Sequence, residues 1–143
     1  MAFDLKIHEK EGLKMVQLID SKTQTVIEIE SSGALMNSWK VKNGEADLEL
    51  ILGNTTATNF EMDGFRSGKM SPFSCRINKG AYQIDHQTYK FEKFYLGEHA
   101  LHGLMYDAEF SIQSTELHHD YAQVILTSSY LGADPGYPFS YEI

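Results

Sequence analysis

Cysteine is almost absent from this sequence: Cys75 is the only one in 143 residues. An intramolecular disulfide is therefore excluded, and a reducing compartment is compatible. Cys75 itself reads first as a small buried packing residue, and second as a thiol activated by the neighbouring Arg76. No run of Lys or Arg is long enough to track a phosphate backbone, and the net charge is −8, from 12 basic and 20 acidic residues. Nucleic-acid binding is disfavoured on both counts, whereas a neutral polyol is not. No apolar run approaches the roughly 20 residues needed to span a bilayer, and the first ten residues lack a signal-peptide core. The expected location is the cytoplasm. Glycine-rich phosphate loops, a nucleophile elbow and paired-cysteine motifs are all missing. So are amphipathic helices, internal repeats and low-complexity tracts.

What is present is an ordinary globular composition, 42% hydrophobic and 22% charged. The length fits one domain, residues 1–143, burying about two-thirds of its unfolded surface. Strand patterns recur at 13–20, at 25–30 (Ile27 and Ile29 alternating with Glu28 and Glu30) and at 36–41, where Trp39 is expected to cover part of the core. Asp20-Ser21-Lys22-Thr23 is turn chemistry, and Ser31-Ser32-Gly33 breaks the second strand. Asn43-Gly44 is a strong hairpin signal from which 48–52 returns. Residues 53–70 have no sustained period and are long for a loop, with Phe60 and Phe65 pinning it and Gly64 and Gly68 letting it turn. Alternation resumes over 81–91 around an Asp85-His86-Gln87 turn. Further strands are expected at 105–112 and 121–128, joined by the polar stretch 114–120, and at 137–143. The fold class is all-β, an antiparallel sandwich.

The chemistry gathers in 71–103. Arg76 lies between Phe73 and Ile77, at the edge of an apolar layer with its guanidinium turned to a cleft. Its rigid fork of donors suits oxygen-rich ligands. It can equally serve as an ion-pair partner of Asp85, Glu92 or Glu98. His102, between Leu101 and Gly103, can hydrogen-bond or move a proton near neutral pH, or can simply be a histidine bonded to backbone. Asp134 and Tyr137 sit in Asp134-Pro135-Gly136-Tyr137-Pro138, which is a turn at least. His99 with His102, and His118-His119-Asp120, raise a zinc or nickel ion. Three-residue spacing on a strand, however, sends side chains to opposite faces, and a polar loop holds adjacent histidines in solvent. No metal and no cofactor is expected.

Arg76-Ile77-x-x-Gly80, the hairpin carrying Tyr89, Ala100-Leu101-His102-Gly103, the Asp134–Pro138 loop, and Ile29-Glu30-Ser31-Ser32-Gly33-Ala34-Leu35-Met36-Asn37-Ser38, taken in order, resemble the aldose 1-epimerases (galactose mutarotases and their relatives). The resemblance covers nearly all of the chain from Gly12. It implies the N-terminal half of a β-supersandwich about twice as long. The expected partner is then a hexose sugar, with Arg76, His102, Asp134 and Tyr137 binding it and His102 also acting in catalysis. It further implies that the family's glutamate base and histidine acid come from a second half with no matching position here. Glu61, Glu98 and Glu109 match no family carboxylate, and Cys75 stands where an asparagine commonly precedes the arginine. Because Tyr141-Glu142-Ile143 has strand character, an exposed edge is expected there, covered by a second copy or by the missing half. The alternatives are a non-catalytic carbohydrate-binding module or a fragment held together by self-association.

Overall fold

The computed structural model describes residues 2–10, 12–53 and 65–143; Phe60, Glu61 and Gly64 lie outside the described residues. The first sheet is a five-stranded antiparallel meander in the order β1-β2-β3-β4-β5. Its strands are β1 (Phe3–Lys10), β2 (Leu13–Asp20), β3 (Thr25–Glu30), β4 (Leu35–Asn43) and β5 (Ala46–Glu49). The expected strands at 13–20 and 25–30 have these same bounds. Between them the Asp20 carboxylate accepts from the Lys22 amide and the Thr23 hydroxyl at 2.9 and 2.7 Å, closing the turn. The charged, alternating N-terminus is itself a strand, paired with β2 along its whole length.

Beyond the meander come β6 (Arg76–Ile77), a 3-10 turn at Asn78–Gly80, and the hairpin of β7 (Ala81–Ile84) and β8 (Gln87–Lys90). Asp85 and His86 both have positive φ, 48° and 66°, giving the two-residue turn whose twist suits a hairpin. Then follow β9 (Tyr95–Leu96), β10 (His99–Leu101), β11 (Ser111–Leu117), β12 (Ala122–Thr127), β13 (Ser129–Leu131) and β14 (Ser140–Glu142). A three-stranded sheet runs β6-β10-β9, and β11-β12, β13-β14 and β7-β8 form two-stranded sheets. Every pairing is antiparallel, so the all-β antiparallel reading holds. No helix among the described residues is long and apolar enough to cross a membrane.

The main core gathers Phe91, Ala100, Leu104, Met105 and Tyr130, with Ile77, Tyr82, Phe94, Tyr137 and Tyr141 packed against it. A second cluster holds Leu35 and Tyr106, and Phe94 touches both. Each fully buried large apolar side chain contributes about 1.5–3 kcal/mol by leaving water.

Three expectations are corrected. Residues 105–112 are mostly not a strand. Met105 and Tyr106 are buried, but the backbone here bonds to loops: Leu104 N–H donates to Ser71 O at 2.6 Å, and Phe110 N–H to Ser31 O at 2.9 Å. The strand lies instead in the polar stretch after it, since a two-stranded hairpin exposed along most of its length needs no apolar period. Trp39 is 37% exposed and covers little of the core. Cys75 is exposed rather than buried; with φ of 59° it occupies a left-handed corner just before β6.

Candidate functional site

The short β6 strand has one outward and one inward residue, as the two-residue period requires. Ile77 packs into the main core while Arg76 is exposed. Across the ladder Arg76 pairs with Leu101 and Ile77 with Ala100, so His102 emerges where β10 ends, beside the entrance to β6. Its backbone N–H donates to Cys75 O at 2.9 Å, and its φ of 60° turns the chain out of the strand. Gly103 completes the corner with φ of +80°; a Cβ there would lie 2.2 Å from Ser71 O. Gly80, the last residue of the Arg76-Ile77-x-x-Gly80 motif, is constrained in the same way: a Cβ would meet the Tyr95 hydroxyl at 1.8 Å. That hydroxyl donates to Phe91 O at 2.7 Å. The glycines of both motifs are thus set by close packing, against the Tyr95 side chain at Gly80 and the Ser71 backbone at Gly103, beside Arg76 and His102.

The electrostatics follow from this placement. Burial, and secondarily the Arg76 charge, hold the His102 imidazole below the usual histidine range. Its Nδ1 is buried and has no hydrogen-bond partner among the described residues. The Phe65 ring meets the imidazole edge-on at 4.8 Å and Tyr106 at 5.1 Å, so Phe65 pins the long loop to the body as the sequence suggests. Phe65 and Leu101 also line a cavity of about 140 Å³ with Phe94, Tyr95, Leu96 and Tyr106. Among the described residues Arg76 forms no ion pair; its guanidinium is 3.8 Å from the Cys75 sulfur. The ion-pair reading with Asp85, Glu92 or Glu98 is not what the fold adopts.

Asp134 and Tyr137 are placed differently. Asp134 is 2% exposed, and its carboxylate accepts from the Glu92, Lys93 and Gly136 amides at 2.8–3.2 Å. Its own N–H donates to the Tyr130 hydroxyl at 2.8 Å. The residue ties the 134–138 turn to the end of β8. Tyr137 is half-buried among Tyr130, Phe139 and Tyr141, with ring centroids 5.2–6.0 Å away. A link back to His102 runs through Ser71: its hydroxyl donates to Tyr141 Oη at 3.0 Å and its carbonyl accepts from Leu104 N–H.

His99 does not join His102. Its Nδ1 accepts from the Lys79 amide at 3.1 Å, and its Nε2 lies 3.8 Å from the Glu98 carboxylate. Glu109 is exposed, and its backbone bridges to Ser32. The aromatic neighbours Phe94 and Tyr106 were not legible as site residues, because Tyr106 lies in the stretch whose apolar content imitates a strand.

The architecture is all antiparallel β, with Arg76 on β6 and His102 at the end of the neighbouring β10. The aldose 1-epimerase family profile matches residues 15–143, and the chain belongs to that family. Among solved structures it is similar to a galactose 1-epimerase from Lactobacillus acidophilus NCFM, with a TM-score of 0.65 at 16% identity over 90% of this chain. That likeness establishes the fold. The chain spans 38% of the length of that structure. No curated protein matches it by sequence.

Proposed function

We propose that the chain provides the Arg76–His102 wall of a hexose-binding cleft in an aldose 1-epimerase-like protein, which interconverts α and β anomers when the site is complete. The observation that carries this reading is the β6–β10 pairing. It brings an exposed guanidinium, with no ion pair among the described residues, next to a histidine whose surroundings disfavour protonation. Arg76 donates to sugar hydroxyls or to the ring oxygen. With Nδ1 buried, a neutral His102 has Nε2 left to meet a sugar hydroxyl, as donor or acceptor according to its tautomer. Asp134 and Tyr137 support the cleft through the 134–138 turn. Anomer exchange needs a base on the anomeric hydroxyl and an acid at the ring oxygen, each typically worth about 10²–10⁴-fold. Membership in the family implies a glutamate and a second histidine for these roles, and no residue of this chain matches either.

A binding role without catalysis is the second reading, favoured by one observation. The charges acting on His102 come from Arg76 and from no carboxylate, so no base stands beside it among the described residues. Polarimetry on freshly dissolved α-glucose and α-galactose, with His102→Ala as control, separates the two. Acceleration lost in the control establishes a working site. With no acceleration, NMR shifts on titrating glucose, galactose or a hexose 6-phosphate would establish binding alone. The absence of any shift at tens of millimolar sugar would remove the sugar cleft altogether.

A further inference from the structure

The hairpin connecting β11 to β12 carries a cluster that the Arg76–His102 cleft does not use. The His118 N–H donates to Tyr121 O at 2.9 Å, closing a tight turn above the Leu117–Ala122 pair. That turn folds three consecutive residues onto one another instead of fanning them along a strand. The ligand atoms of His118, His119 and Asp120 all lie within 4.8 Å of one another. Asp120 Oδ1 is 2.5 Å from His118 Nδ1 and 3.7 Å from His119 Nδ1. Tyr121 stacks on the His118 ring at 5.1 Å and is tethered by its hydroxyl to Glu116 at 2.7 Å, so the first imidazole is held from behind. The adjacent histidines do stay in solvent, as expected for a polar loop, but the turn also brings them together with Asp120.

We propose that His118, His119 and Asp120 form a binding site for a late first-row divalent cation, zinc being the representative ion. Two imidazoles and one carboxylate are the donor set such ions prefer, whereas magnesium and calcium prefer oxygen alone. Metal–ligand bonds of about 2.0–2.1 Å in a tetrahedron place donor atoms about 3.3 Å apart. The 3.7 Å separation is already close to this. The His118–Asp120 pair opens by under about 1 Å as the metal replaces the shared proton. Remaining positions face solvent and take water or a donor from another molecule.

Calorimetric titration of the full chain with zinc chloride near pH 7.5, in two buffers of different ionisation heat, tests the assignment. Expected are one ion per chain, proton release, and ring shifts at His118 and His119 but not at His8, His86 or His99. The His118→Ala and His119→Ala variants, whose exposed positions leave the thermal transition in place, are expected to bind at least about tenfold more weakly, as loss of one ligand requires. Three results would each overturn the site: no saturable binding below about 1 mM zinc (an affinity of only about 4 kcal/mol), undiminished affinity in both variants, or ring shifts confined to other histidines.

Discussion

The amide of His102 donates to the carbonyl of Cys75 at 2.9 Å, which fixes the histidine one ladder step from Arg76. The hydrogen bond uses only backbone atoms, so any residue that tolerates the left-handed corner at 75 can stand there without moving the histidine. The exposed Cys75 side chain, its sulfur 3.8 Å from the Arg76 guanidinium, therefore lines the approach to Arg76 without being part of the frame.

Arg76 is exposed and carries no ion pair among the described residues, so its removal tests function with little effect on folding. Arg76→Ala is expected to shift stability by no more than about 0.5 kcal/mol, as for other surface positions. Hexose affinity should fall roughly 10- to 100-fold, the worth of a charged hydrogen bond. Thermal melts beside NMR sugar titrations give both numbers. An unchanged affinity would take Arg76 out of the cleft.

The His102 imidazole is held below its ordinary value of about 6.5 first by burial and then by the Arg76 charge. Protonation is disfavoured in the folded state, so the unfolded chain takes up a proton first as pH falls. The contribution to stability is complete above the ordinary histidine value and is lost as pH drops through the folded one. Ring-proton NMR should show a midpoint under 6.5. Arg76→Ala should raise it without restoring the ordinary value, because burial remains. A midpoint unaffected by Arg76→Ala would mean that the two side chains do not share a site.

Strand identity was legible where apolar and polar residue types alternate, as for Ile27 and Ile29 against Glu28 and Glu30 in β3, even though both faces of that strand are half-buried, and wherever turn chemistry is local, as at Asp85 and His86. It was not legible where burial and hydrogen bonding separate. Met105 and Tyr106 carry the apolar signature of a strand, yet their neighbours' amides bond to loops at Ser31 and Ser71. Ser111–Leu117 is a strand with almost no apolar pattern. In the candidate site, the motifs that carry Arg76 and His102 were readable because close packing dictates their glycines, Gly80 and Gly103. The inward role of Asp134 was not, since three backbone donors converge on it from residues more than forty positions away and from its own turn.

Asp134 distinguishes ligand contact from support of the fold. Asp134→Ala leaves the amides of Glu92, Lys93 and Gly136 without their acceptor in a buried setting. Each orphaned group costs about 1–3 kcal/mol, and a total loss near 3 kcal/mol would lower the melting temperature by about 10 °C in a chain of this size. A variant that melts with the parent protein but no longer binds sugar would instead return Asp134 to direct contact with the ligand.

Glu30 is 2% exposed at the end of β3, and its Oε1 has no hydrogen-bond partner. Burial first, and the Glu109 charge second, push its carboxyl above the usual range, while Lys10 pulls weakly the other way. The folded state therefore holds this proton more tightly than the unfolded one. Its favourable contribution is present below the unfolded value of about 4.3 and is lost as pH rises through the folded value. Ionisation places a charge in this buried position, with Lys10 as the opposing charge acting on it. Glu30→Gln keeps the shape and removes that charge, so it should raise the melting temperature near pH 8 by several degrees and change it little near pH 4. The physical reason is specific to the charge: an effect of the same size at both pH values would trace the gain to packing instead, and a loss at pH 8 would mean that the carboxylate has a partner in solution.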